Sequence, residues 1–247
     1  MVPRLVVLDQ AASTNDELAI LVAREACAPY TTVVTSDQTA GRGRRDRAWS
    51  SPPGSGLAIS VLLPLVPDDR MAWLALAAGL AMREAVASVL PGVTVSVKWP
   101  NDVLIGDRKV CGLLAEVNTL GVVMGTGLNV RLQPHELPVP TATSLIIEGA
   151  VDEALDDRIL AGYLARLRSR VDGLVSSDAE GAGLRVDVIS ACDTIGRNVR
   201  IELPDGSTIA GVAVDIAADG RLVVRTGDRT MEWIAAGDVV HVRRMVG

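Results

Sequence analysis

The spacing of apolar and polar residues changes period several times along the chain, and each change marks a predicted element. Residues 15–27 carry apolar side chains at helical spacing (Leu18, Leu21, Val22), and Thr14-x-x-Glu17 reads as a capping box that opens this helix. "YTTVVTS" (30–36) is β-branched and predicts a strand, and "LAISVLLP" (57–64) predicts a second. Between them lies an arginine-rich loop that ends in the breaker cluster "SSPPGSG" (50–56). From Met71 to Leu90 the pattern is apolar nearly all round, which predicts a buried helix packed on a sheet. "VTVSVKW" (93–99) alternates as a strand, and "PNDVLIGDRKV" (100–110) turns back through Gly106-Asp107. "CGLLAEV" (111–117) and "GVVMGTGLNV" (121–130) predict neighbouring strands, followed by a loop over 133–143 with Pro134, Pro138 and Pro140. Residues 151–175 form a strong amphipathic helical pattern, and 178–191 predict a further helix. After Thr194, turn pairs at Asp205-Gly206, Asp219-Gly220 and Gly227-Asp228 punctuate short strands at the spacing of a barrel of about five strands. This change of texture divides the chain into residues 1–190 and 191–247.

Composition narrows the function classes. The chain has 247 residues, 49% of them hydrophobic, so a large core is within reach. No stretch approaches about 18 uninterrupted apolar residues, so no membrane span is expected. The N-terminal apolar run is broken by Asp9, too early for a signal peptide. Cys27, Cys111 and Cys192 lack metal-ligand spacing and read as buried thiols of a reducing cytoplasm. With no Phe, four Trp and two Tyr, there is no platform for stacking successive bases, and a net charge of −6 argues against a nonspecific DNA binder.

Against that acidic background, Arg42 to Arg47 places four arginines in six residues. Gly41 and Gly43 allow the backbone to approach a ligand closely, and the forks of Arg42 and Arg44 suit carboxylate or phosphate. In an extended segment those two arginines point one way and Arg45 the other. The run reads either as a solvated basic loop or as a contact for phosphate on a small molecule.

Company elsewhere in the chain decides between these. Four blocks occur in order: "STN" (13–15), "QTAGRGRR" (38–45), "KWPND" (98–102) with "RKVCGLLAE" (108–116), and "GTGLN" (125–129). Together they resemble the biotin protein ligases, and the closing "AAGDVVHVR" (235–243) resembles that family's small barrel. The resemblance implies an α+β fold, a mixed sheet flanked by helices plus a C-terminal SH3-like β-barrel. It implies an enzyme that activates biotin with ATP and Mg²⁺ to biotinyl-5′-adenylate. Biotin then passes to a lysine of a biotin carboxyl carrier domain of an acyl-CoA or pyruvate carboxylase, and AMP is released. A lipoate or octanoate ligase of the same fold is the enzymatic alternative, and a nucleic-acid-binding module the non-enzymatic one. No DNA or membrane partner is expected, and the chain is expected to act as a monomer or weak homodimer.

Site residues follow from the matched blocks. Ser13, Thr14 and Asn15 resemble the contacts to the ureido ring, although Thr14 also reads as a helix cap. Gln38 resembles a biotin contact, and Arg42, Gly43 and Arg44 resemble the segment that closes over biotin and its adenylate. Lys109 resembles the lysine that reaches the carboxylate and α-phosphate. Gly112, Gly125 and Gly127 resemble the pocket floor, where a side chain would block the ligand. The resemblance assigns Arg44, Arg45, Lys98, Asn101, Lys109 and Asn129 to ATP or the adenylate, with Arg243 as a further candidate. Asn101 and Asp102 either help hold Mg²⁺ or bond their own backbone in a turn. Trp49 anchors the far end of the loop or simply packs. Three departures stand out. Asp46 replaces a glycine of the family's loop, residues 131–143 contain no tryptophan to cover adenine, and no DNA-binding segment is expected ahead of the matched blocks.

Overall fold

A computed structural model of the chain describes residues 3–118, 120–151, 153–179 and 183–242. In chain order its elements are β1 (Leu5–Val7), α1 (Thr14–Arg24), β2 (Thr32–Thr35), β3 (Gly41–Arg42), β4 (Ala48–Trp49), β5 (Gly56–Leu63), α2 (Met71–Val89), β6 (Val95–Lys98), β7 (Asp102–Ile105), β8 (Arg108–Asn118) and β9 (Gly121–Asn129). After β9 come α3 (Leu155–Ser176), α4 (Leu184–Ala191), β10 (Asn198–Glu202), β11 (Thr208–Ile216), β12 (Leu222–Thr226), β13 (Met231–Ile234) and β14 (Asp238–His241). Seven strands form one mixed sheet in the order β1-β2-β5-β9-β8-β7-β6, in which only β1 and β2 run parallel. β10 to β14 form a second, antiparallel sheet in the order β13-β12-β11-β10-β14. The α+β architecture expected from the sequence is therefore the one observed.

Side-chain alternation explains how the large sheet serves two faces. Every residue of β5 is buried. Its odd positions, Leu57, Ile59, Val61 and Leu63, join the main core with α2 and α3. On the other face Leu62 packs with Leu18 and Val22 of α1, Val33 of β2 and Val123 of β9. α2 is apolar all round because the sheet covers one side and α3 the other. Among the described residues it is also the helix long and apolar enough to cross a membrane, and it is mostly buried inside the protein.

α1 begins one residue earlier than a Thr14 cap requires. Ser13 is the N-cap, accepting a hydrogen bond from the Asp16 N–H at 3.4 Å, so Thr14 lies inside the helix with its hydroxyl free for other partners. The helix ends at Arg24, short of the expected 27, because Glu25 is extended. β1 was not expected from the sequence. It has only three residues, two of them exposed, and so carries no buried alternation.

The small sheet is fastened to the large domain. Trp73 and Trp99 donate their indole N–H groups to Ala218 O (2.7 Å) and Gly220 O (3.1 Å) in the β11–β12 turn. Val199, Ile201, Ala213, Leu222 and Val239 belong to the same apolar core as α2 and β6.

Candidate active site

A cavity of about 1000 Å³ opens on the α1 face of the large sheet and is closed on one side by the small sheet. Alternation places its floor. Ala58 pairs with Gly127, Ser60 with Gly125, Gly127 with Gly112 and Gly125 with Leu114, and these residues face the cavity side. Lys109 would break this pattern, since it stands three residues from Gly112 and regular alternation would place them on opposite faces. A bulge corrects it: Val103 pairs with Cys111 but Leu104 with Lys109, so Val110 is the extra residue. Val110 and Cys111 both enter the core, and Lys109 is re-aimed into the cavity. The 133–143 loop then grips the Lys109 backbone, with Lys109 N–H donating to Thr141 O (2.7 Å) and Thr143 N–H to Lys109 O (2.9 Å).

One end of the cavity is polar and uncharged. The fully buried Ser60 hydroxyl donates to Asn15 Oδ1 at 2.6 Å and lies 2.7 Å from Thr14 Oγ1. Gln38 Oε1 accepts from Thr14 N–H (2.9 Å) and Thr14 Oγ1 (3.2 Å). The amide of Gln38 therefore turns its nitrogen the other way, against Gly41, where any Cβ would collide with it. Ser13, Thr14, Asn15 and Gln38 all line this chamber.

The other end is cationic. Lys98 and Asp102 face each other across the β6–β7 hairpin, and Lys109 Nζ lies 2.6 Å from Asp102 Oδ1. Arg44 donates to Asn101 Oδ1 (3.2 Å) and Gly237 O (3.3 Å), while Asn101 Nδ2 donates to Leu113 O (2.6 Å). Burial pulls the Lys98 amine below its ordinary pKa, with Asp102 opposing and Lys109 adding to the effect. Burial also lowers Arg44, against the pull of Asp238 and Asp102. These cations gather more positive charge than Asp102 offsets, and an anionic ligand would relieve that excess. Asn129 lines the cavity and donates its amide to Thr143 O at 2.9 Å.

The arginine loop is partly folded, not extended, so alternation does not set the directions of Arg42 and Arg44, although both line the cavity. Residues 44–46 form a 3₁₀ turn with Arg45 at φ 56°, framed by the β3–β4 pairing of Gly41 with Trp49 and Arg42 with Ala48. Arg42 reaches α1, where it makes two bonds to Asp16 (2.7 and 2.6 Å) and one to Glu116 (3.3 Å). That hydrogen bonding holds the Asp16 carboxyl below its usual range. Arg44 alone of the pair enters the cationic end. Arg45, expected at the nucleotide, does not line the cavity. It binds the small sheet through Asp238 (3.1 Å), Glu202 O (3.2 Å) and Leu203 O (2.5 Å), and Arg47 shares Asp238. The side chain of Asp46 and all of Arg243 lie outside the described residues.

The glycines clear space, but for protein groups. A Cβ at Gly127 would collide with the Trp49 ring, one at Gly112 would meet that ring at 3.2 Å and Lys109 Nζ at 3.0 Å, and one at Gly125 would collide with Asn15 Oδ1. Trp49 thus lies against the strand floor and also receives Lys109 over its ring at 5.7 Å. Trp49 therefore both anchors the loop and packs.

Asp238, Val239, His241 and Arg197 also line the cavity, and the sequence reading had none of them. His241 bonds Thr194 Oγ1 at 3.2 Å, and Thr194 Oγ1 in turn accepts Trp99 N–H at 3.1 Å. Burial, with the cations of Lys98 and Arg197, presses its pKa down to about 4. It is a neutral wall between the two sheets. Pro138 and Val139 supply apolar surface where the 131–143 loop lacks a tryptophan. Among the described residues no three His, Cys, Asp or Glu gather as a metal site. Cys111 is buried and its thiol is pushed well up, which removes it as a nucleophile.

Residues 8–129 match the biotin/lipoate A/B protein ligase family, and residues 194–242 match the biotin protein ligase C terminal domain. The biotin–[acetyl-CoA-carboxylase] ligase of Mycobacterium tuberculosis is 39% identical over 245 residues, which cover 97% of this chain and 90% of that one. A biotin protein ligase from Aquifex aeolicus, solved in complex with biotin and ATP, superposes with a TM-score of 0.80 at 27% identity, over 98% of this chain and 99% of that one. One from Leishmania major, in complex with biotinyl-5-AMP, gives 0.66 at 25% identity over 96% and 100%.

Proposed function

This chain belongs to the biotin protein ligases, and from that premise we propose how its cavity joins biotin to a carrier lysine at the expense of ATP. A carboxylate oxygen of biotin attacks the α-phosphorus of ATP, the bond to pyrophosphate breaks, and biotinyl-5′-adenylate remains. The ε-amine of a carrier lysine then attacks the acyl carbon, the bond to AMP breaks, and the amine gives up a proton as the amide forms. The match of residues 194–242 to a biotin ligase domain, with the biotin-bound relatives, favours this reading over lipoate transfer.

The observation that carries the assignment of roles is the polarity of one continuous cavity. Its uncharged end offers both donors and acceptors, through Thr14, Asn15 and Gln38, to a ring that carries a carbonyl and N–H groups. Its cationic end brings Arg44, Lys98 and Lys109 to where two anions must meet. Lys109 stands at the junction, between Gly112 of the floor and Asp102, and its ammonium stabilises the charge that develops on phosphorus and later on the acyl oxygen. Arg44 neutralises phosphate, and Trp49 with the arginine loop keeps water from the anhydride. Asn101 and Asn129 border the nucleotide. Asp102, which holds Lys109 at 2.6 Å, would offer a carboxylate oxygen to a Mg²⁺ that arrives with ATP, and the ion would supply further charge neutralisation there. Arg45 has no nucleotide role in this scheme. The carrier domains of carboxylases are the acceptors, residues 1–190 and 191–247 act as catalytic unit and appended barrel, and the free thiols of Cys27, Cys111 and Cys192 are in keeping with the cytoplasm.

Pyrophosphate exchange into ATP tests the reading. Biotin should drive exchange with Mg²⁺ present, and lipoic acid should not; exchange driven equally by lipoic acid would contradict it.

A further inference from the structure

Glu116 lies on β8 two residues past Leu114, on the cavity side of the sheet, and its two carboxylate oxygens serve different masters. Oε2 accepts the Asn15 amide at 2.7 Å, and Oε1 accepts Arg42 at 3.3 Å. Asn15 belongs to the uncharged chamber on α1 and Arg42 to the arginine loop, so the two lie on separate elements. We infer that Glu116 is a positioning residue that couples the ring-binding chamber to the arginine loop, an inference that rests on the ligase reading above.

The chemistry leaves little freedom. A carboxylate only accepts, so the Asn15 amide must turn its nitrogen to Glu116 and its oxygen to Ser60, whose hydroxyl donates at 2.6 Å. Gly125 leaves no Cβ to disturb that amide. With its orientation set, Asn15 keeps the second N–H of the amide as a donor for a ligand carbonyl. Arg42 anchors the opposite oxygen of the same carboxylate, and it is itself held by two bonds to Asp16, the neighbour of Asn15 on α1. When the loop sits on the protein, the guanidinium fixes Glu116 and Glu116 fixes Asn15. When the loop lifts, Glu116 loses its charge partner and its carboxylate is freed to turn away from the Asn15 amide. Ligand at Asn15 and loop closure therefore favour each other, as reciprocal coupling requires.

Stability is not what this arrangement serves. The Glu116 side chain is 38% exposed and that of Arg42 is 42% exposed, and ion pairs in such settings add little to folding. Function is therefore where a substitution should register.

The test uses the full chain and measures KM for biotin, KM for ATP, the rate at which biotinyl adenylate escapes, and Tm. A glutamine can present an acceptor to only one of the two donors, so Glu116→Gln should raise KM for biotin and speed escape by about tenfold each. KM for ATP and Tm should hold. Glu116→Asp is one methylene too short to span both donors and should move the same two readouts. Asp16→Asn loosens the Arg42 anchor but leaves the Glu116–Asn15 bond in place, so it should speed escape and raise KM for biotin by less than Glu116→Gln does. If wild type exchanges pyrophosphate with biotin but Glu116→Gln matches it in both readouts, this inference is wrong and the ligase reading stands. Equal effects of Asp16→Asn and Glu116→Gln on KM for biotin would also overturn it. If wild type shows no biotin-dependent exchange, the ligase reading falls and takes the inference with it.

Discussion

Gly127 shows what a single missing Cβ does in this site. The residue read from the sequence as a place of close approach, and close approach is what the structure has there. The approaching group is the Trp49 ring, which lies on the strand where the sequence reading put a ligand. Nothing in one sequence could name that partner, because Trp49 and Gly127 meet only once the loop folds back over β9. The same holds for Gly125, whose neighbour is the Asn15 amide, and for Gly41, whose neighbour is the amide of Gln38. Gly127→Ala should therefore lift Trp49 from the floor without unfolding β9, since a strand accepts alanine. Overpacking costs about 1–3 kcal/mol, so retention of the adenylate should drop by roughly ten- to a hundredfold. Rapid filtration of enzyme loaded with biotin and ATP measures this, and an adenylate held as long as in wild type would show that Trp49 does not cover it.

At the scale of elements, strongly periodic segments were legible and re-aimed ones were not. α2, α3, β5 and the β6–β7 hairpin appear close to where their apolar spacing put them. The bulge at Val110 left no trace in the pattern, since Val110 and Cys111 are both apolar and either could have faced the core. Yet that bulge is what turns Lys109 into the cavity. The directions of the loop's arginines were not legible for a related reason. Alternation predicts direction only in extended chain, and the 3₁₀ turn at 44–46 sends Arg42, Arg44 and Arg45 to three separate destinations. Two of its arginines, Arg45 and Arg47, are held by Asp238 of β14. This explains why an acidic chain carries so many arginines here: part of the run binds its own protein. Asp238→Asn should loosen the loop and expose its arginines to trypsin, with first-site cleavage faster by about tenfold, as expected where local opening becomes easier. Cleavage at the wild-type rate, mapped by mass spectrometry to residues 42–47, would show that the barrel does not hold the loop.

Across the whole molecule, the texture change after Thr194 correctly announced a separate sheet of five strands, but not its part in the cavity. Val239 and His241 close one wall of a site whose floor lies more than a hundred residues earlier in the chain, at Ala58, Gly112 and Gly127. The link runs through buried bonds, Trp99 to Gly220 and Thr194 to His241, between residues that show no joint pattern in sequence. The four matched blocks converge because alternate positions on adjacent strands share one face, while α1 and the loop complete the rim. The proposed role of Lys109 as the cation that activates biotin rests on this convergence. Quenched single-turnover formation of biotinyl adenylate, in wild type and in Lys109→Ala, tests it most directly. A fall of about a hundredfold or more with Tm unchanged is expected, the size that follows when a group that stabilises developing charge is removed. Adenylate forming in Lys109→Ala at the wild-type rate would contradict it.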